Sequence, residues 1–169
     1  MRPERLDEID RQLLSALQRD AEVNRAELAR EVGLSPAGLH KRLARLKSQG
    51  YFQRTVALLN RRSLGLDLLA FMLVTFRSNL RFENQDALRR AVADIPQVLE
   101  CYTLTGTSDA ILKILVRDQS ELRDLLQTLA QAQDVIDRIQ TCVVLEEFKN
   151  GPELPLPPSE TKPAGEEPE

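Results

Sequence analysis

Few side chains in this chain can do covalent or metal chemistry. His40 is the single histidine, and Cys101 and Cys142 are the only cysteines. One imidazole cannot build a multi-histidine metal site, and a hydrolytic triad that used it would have no alternative base. The cysteines lie in separate strand-like runs without Cys-x-x-Cys spacing, which reads as two buried, reduced thiols. No catalytic residue, metal or cofactor is expected. Two other groups of residues carry chemical potential. The first is cationic: residues 30–62 hold eight Lys/Arg against the single acid Glu31, and His40, Lys41, Arg42 and Arg45 follow closely on Ser35-Pro36-Ala37-Gly38. The second is the turn Gly106-Thr107-Ser108-Asp109, where a glycine and a lone carboxylate sit between two apolar runs. A carboxylate there can hold an ammonium, and the amides of a glycine turn can hold a carboxylate.

The charge distribution says what the cationic group is for. The formal net charge is −3, yet residues 1–62 carry thirteen basic and eight acidic side chains. Residues 63–150 carry nine and thirteen, and residues 151–169 one and five. A basic first third on an otherwise acidic chain points to a polyanion as its partner.

The elements that must position these residues can be read from period and caps. Leu6, Ile9, Leu13, Leu14 and Leu17 recur at helical spacing, with Asp7 as N-cap and Asp10 three residues later. Asn24 followed by Glu27 predicts a second, short helix that stops at Gly33. Ser35 then serves as an N-cap with Pro36 at the first helical position, so a third helix runs over 36–49 until Gly50. A short helix, a glycine turn and a basic second helix form the helix-turn-helix plan, and the following Tyr51 to Asn60 fits a small wing or an extended linker.

After residue 67 the period changes. Strands are expected over 68–76, 98–105, 110–116 and 139–148, and helices over 84–94, capped at Asn84, and 120–130. That order, β-α-β-β-α-β, is ferredoxin-like, and the fold class is α+β. Both helices then cover one sheet face, yet residues 68–74 and 111–116 are apolar nearly throughout, which places the second face in a subunit interface. The expected division is a winged helix-turn-helix domain at 1–54, a linker at 55–66, a ferredoxin-like domain at 67–150 and an acidic, proline-rich, disordered tail at 151–169. No run is apolar enough for a bilayer span and residues 1–10 are charged, so the chain reads as cytoplasmic with no membrane partner.

Three segments, LDEIDRQLLSALQRDA, ELAREVGLSPAGLHKRLARLKSQGYF and VLECYTLTGTSDAILKILV with TCVVLEEFK, occur in the order in which the Lrp/AsnC (leucine-responsive/asparagine regulator, feast/famine) transcription factors carry similar segments. Over residues 5–150 the chain resembles that family. The resemblance implies a DNA-binding regulator that dimerises through its sheet, assembles further into octamers, and binds an amino acid between dimers near the turn after the second strand. In the helix-turn-helix plan the helix from Pro36 enters the major groove, with Ala37, Gly38, His40 and Lys41 nearest base edges, Arg42 and Arg45 nearer phosphates, and Ser35 and Arg54 also contacting DNA. The resemblance places the effector at Gly106, Thr107, Ser108 and Asp109, facing Cys142, Val143 and Val144. Thr107 and Ser108 depart from the family pattern, in which an acidic and then an aromatic residue commonly follow the glycine. Two other readings share the architecture: a ligand-binding assembly protein without DNA binding, and an enzyme like the siroheme decarboxylases, which needs more histidines than this chain has.

Overall fold

The computed structural model describes residues 6–77, 81–131, 135–151 and 153–158. The chain divides into two compact units, one formed by residues 1–57 and 149–169, the other by residues 58–148.

The first unit is built by caps and one apolar cluster. Helix α1 (Glu8–Arg19) starts at Asp7, whose carboxylate accepts from the Asp10 amide at 2.7 Å while the Asp10 side chain reaches back to the Asp7 amide. Helix α2 (Arg25–Glu31) starts at Asn24, whose side-chain oxygen accepts from the amides of Ala26 and Glu27. Helix α3 (Pro36–Ser48) starts at Ser35, whose Oγ accepts from the Gly38 amide at 3.1 Å. Each such cap contributes about 1 kcal/mol. Between α2 and α3 the chain reverses through Gly33 at φ +69°, a conformation costly for any residue with a Cβ. Leu13, Leu28, Ala29 and Leu39 are buried together, one or more from each helix, and Ile9, Val32, Leu34 and Leu43 pack around them. Removing one such leucine side chain costs about 2–5 kcal/mol. From Phe52 to Asn60 the chain is without helix or strand, so the expected wing segment is an exposed strip here, with Val56, Leu58 and Leu59 more than half exposed.

The second unit is a four-stranded antiparallel sheet in the order β2-β3-β1-β4, from β1 (Leu68–Phe76), β2 (Val98–Thr103), β3 (Ala110–Val116) and β4 (Ile136–Val143). Helices α4 (Arg81–Ala93) and α5 (Gln119–Ala130) connect them. Register sorts the residues by face: Ala70, Met72 and Val74 of β1 pair with Ile114, Leu112 and Ala110 of β3, and all six are fully buried with Leu88 of α4 and Leu122, Leu125 and Leu129 of α5. The other face carries Phe71, Leu73, Ile111 and Lys113, half-buried and outside the core cluster beneath α4 and α5, with Leu69 and Leu115 buried beside them. Lys113 donates to Glu100 at 3.1 Å and the Tyr102 hydroxyl donates to the same carboxylate at 3.0 Å. The Lys113 ammonium, against the opposing effect of burial, holds Glu100 below the usual carboxylate range. A face with an apolar centre, its Lys113 neutralised, is suited to be covered by another protein surface.

Several boundaries differ from those read in the sequence. Helix α4 begins at Arg81, which makes Asn84 a buried residue inside the helix and not its cap. Strand β4 occupies 136–143 instead of 139–148, because its pairing partner β1 ends: the Val144 amide bonds Leu69 O, and beyond it Leu145 and Phe148 are almost fully exposed. Cys101 and Cys142 are free but exposed in this chain, since β2 and β4 are the edge strands, not the buried centre. Residues 151–169 were expected to lack structure, yet the Gln18 side chain pairs with both backbone groups of Leu154. Residues 159–169 of that tail lie outside the described residues.

One contact ties the start of α5 to the sheet. The Glu121 carboxylate accepts from the Arg117 amide at 2.8 Å, the Arg117 guanidinium at 3.0 Å and Gln97 Nε2 at 3.0 Å. The Arg117 amide foremost, then Gln97 and the Arg117 side chain, bring its pKa down to about 2. A lowered folded-state pKa means the stabilisation is complete above the ordinary glutamate value near 4.5 and is lost as pH falls through about 2. The thermal midpoint of the wild type should exceed that of Glu121→Gln at pH 6, and the gap should narrow progressively between pH 4.5 and 2.

Candidate functional site

The cationic group divides by partner. Asp10 is 1% exposed, and a buried carboxylate needs counter-charges. Helix α3 supplies two, three residues apart on one face: Arg42 Nη1 at 2.9 Å from Asp10 Oδ1, and Arg45 Nη2 on Oδ2. Arg42 also reaches Asp7 at 2.6 Å. Burial opposes ionisation of Asp7, but the Asp10 amide and the Arg42 guanidinium outweigh it and lower its pKa. The Asp7 hydrogen bond correspondingly raises the pKa of Arg42. Arg42 and Arg45, expected nearest phosphates, both fasten α3 to the start of α1. Sequence spacing cannot reveal this, because the partners lie 32 to 35 residues away.

The remaining residues of this group are presented outward. Ser35, Ala37, His40 and Lys41 are exposed along the first turns of α3, and Gly38 is half-buried between them. A Cβ on Gly38 would come within 3.3 Å of Ser35 Oγ, so glycine keeps the cap uncrowded. The N-terminus of α3 carries partial positive charge and has no acidic residue in its first turn. Lys47 near the end of α3 and Arg54 in the extended strip are exposed too. Missed in the sequence reading was Asp10 as the residue that orients α3; its signal was a carboxylate placed on an otherwise apolar helical face beside Leu13 and Leu14.

The turn between β2 and β3 is also built, though differently from expectation. Gly106 has φ +130°, where a side chain is strained. Leu104 N donates to Asp109 O at 2.8 Å and Asp109 N to Val74 O at 2.9 Å, closing the turn against β1. The Asp109 carboxylate accepts from the Phe76 amide at 2.8 Å, so it completes the end of β1. Thr107 is exposed and Ser108 half-buried. Cys142 pairs with Phe71 and Val144 with Leu69, about five residues back along β1, or roughly 17 Å from the turn. One chain therefore does not bring Gly106, Thr107, Ser108 and Asp109 together with Cys142, Val143 and Val144.

Because Asp10 keeps Arg42 when Arg45 is lost, Arg45→Ala should destabilise the first unit by about 1–3 kcal/mol. Asp10→Asn combined with Arg45→Ala should cost less than the sum of the two single changes. Chemical denaturation followed at residues of α1 and α3 checks this. In DNA titrations at several salt concentrations, Arg45→Ala should leave the salt slope near the wild-type value.

Comparison with known proteins bears on both halves. Residues 69–154 match the Lrp/AsnC ligand binding domain, and residues 6–53 match a winged helix-turn-helix DNA-binding domain. The chain is 39% identical over 152 residues to the leucine-responsive regulatory protein of Salmonella typhimurium, covering 88% of this chain and 90% of that one. Its structure is similar to that of a transcriptional regulator from Neisseria meningitidis crystallised with L-Met, with a TM-score of 0.82, 29% identity and coverage of 89% of this chain and 96% of that one. It is also similar to a feast or famine regulatory protein from M. tuberculosis complexed with L-methionine, with a TM-score of 0.77, 30% identity and coverage of 88% and 98%. These likenesses run through both units, and the chain belongs to the Lrp/AsnC family of DNA-binding transcriptional regulators.

Proposed function

We propose that the chain reads DNA with the exposed side of α3 and responds to an amino acid held where two copies meet. The observation that carries the first half is the division of cations on α3: Arg42 and Arg45 are occupied by Asp10 and Asp7, while His40 and Lys41 project from the helix that Ser35 caps. In a helix-turn-helix the N-terminal residues of the second helix approach base edges in the major groove. Ser35, Ala37, Gly38, His40 and Lys41 are the residues assigned to that surface, with Arg54 on the flanking phosphates. Lys41→Ala should weaken binding to all duplexes and reduce the salt slope by about one. Mobility shifts on DNA upstream of the chain's own gene and of neighbouring genes test this; binding with no salt dependence would contradict it.

The second half rests on distance. With the turn at Gly106 and the segment at Val143 roughly 17 Å apart in one chain, a pocket made of both needs two chains. The uncovered face around Phe71, Leu73 and Ile111 supplies the primary dimer contact, and two such dimers side by side supply the effector pocket, consistent with an assembly larger than a dimer. The L-Met complexes of the two regulators above support an amino acid as the ligand class. Two functions of Asp109 can be separated, because Asn keeps an oxygen for the Phe76 amide and loses the charge that would hold an ammonium. Asp109→Asn should keep the thermal midpoint within a degree or two of wild type and weaken amino-acid binding roughly ten- to a hundredfold by calorimetry with L-methionine and L-leucine. Asp109→Ala should lose both. Undiminished binding by Asp109→Asn would remove the carboxylate from the effector site.

A further inference from the structure

The tail offers a contact that neither DNA reading nor effector binding uses. Residues 153–158 read Glu-Leu-Pro-Leu-Pro-Pro, and prolines spaced this way hold a chain extended before it meets anything. An extended backbone leaves its amide and carbonyl groups without internal partners. Gln18 on α1 satisfies both groups of one residue: its Oε1 accepts from the Leu154 amide at 2.6 Å, and its Nε2 donates to the Leu154 carbonyl at 3.2 Å. A second observation is burial. Leu154 is 71% exposed, but Leu156, two residues on, is half-buried. It lines a cleft of about 640 Å³ between α1, α2 and the tail, together with Ala16, Leu28 and Val32.

The path of the chain gives this contact a consequence. The polypeptide passes between the two units once after Ala57 and again after Phe148. Leu154 is only six residues beyond Phe148, a span of about 20 Å at most. Where the chain leaves the second unit, Arg61 donates to Glu147 at 3.1 Å and to the carbonyls of Leu66 and Asp67, so the two connecting segments are fastened to each other. We propose that the α1–α2 cleft is a docking site for the chain's own residues 153–158, and that this strap gives the DNA-binding unit a second tether that restricts its reorientation and raises affinity for DNA.

Leu156→Ser in the full chain tests this without altering any charge. Amide exchange in residues 12–19 and 25–32 should quicken severalfold, and DNA affinity should fall about two- to tenfold with an unchanged salt slope, as expected when a pre-ordered element becomes free. Unchanged exchange would overturn the docking site; faster exchange with unchanged DNA affinity would overturn the tether. A paired substitution, Gln18→Cys with Leu154→Cys, identifies the occupant. Oxidation in a background with Cys101→Ser and Cys142→Ser should give a disulfide within one chain, running as a monomer on a non-reducing gel. A covalent dimer would show that the cleft takes the tail of a second copy and would overturn the assignment to the chain's own tail.

Discussion

The first unit depends on a buried carboxylate. Asp10 is placed by the first turn of α1, where its side chain contributes to the cap and to the favourable field of the helix N-terminus. Burial then makes its charge tolerable only with Arg42 and Arg45 in place, which fixes the rotation of α3 about its own axis. With those two guanidiniums turned inward, the helix has one direction left in which to present His40 and Lys41. An apolar contact at the same position would hold α3 to α1 but would permit more rotation, whereas two directional ion pairs on one carboxylate do not.

The second unit works by a different constraint, the strict alternation of a strand. One set of β1 and β3 side chains enters the core beneath α4 and α5, so the intervening set must face away. Because that second set is largely apolar, the sheet is built to be covered. The same geometry separates the turn at Gly106 from the segment at Val143 along β1. The dimer and the composite ligand site proposed above both follow from this one pattern of residues, and a ligand that binds across copies can change assembly or DNA binding only through different affinities for two states.

Local features were legible in the sequence and long-range ones were not. Asp7, Asn24 and Ser35-Pro36 announce the three helix starts because a cap involves neighbours two or three residues away. Strands β1 and β3 were read to the residue, since continuous apolar runs flanked by turns admit few other boundaries. The frame of β4 was misjudged because the apolar run continues past the end of its partner, and only pairing shows where the sheet stops. Asn84 resembled a cap by type, but the helix starts one turn earlier. The ion pairs of Arg42 and Arg45 with α1 were not legible, because their counter-charges lie more than thirty residues back. The composition of the tail masked Leu156 among prolines and glutamates.

If Asp10 orients α3 for base reading by His40 as proposed, sequence preference must depend on His40. Selection from random-sequence duplexes by the wild type and by His40→Ala, at one salt concentration, tests it most directly. The wild type should enrich a two-fold symmetric site with half-sites about one helical turn apart. His40→Ala should relax or change preference at one or two symmetry-related positions while the spacing persists. Enrichment of an identical motif by both proteins, or of none by either, would contradict that role for His40.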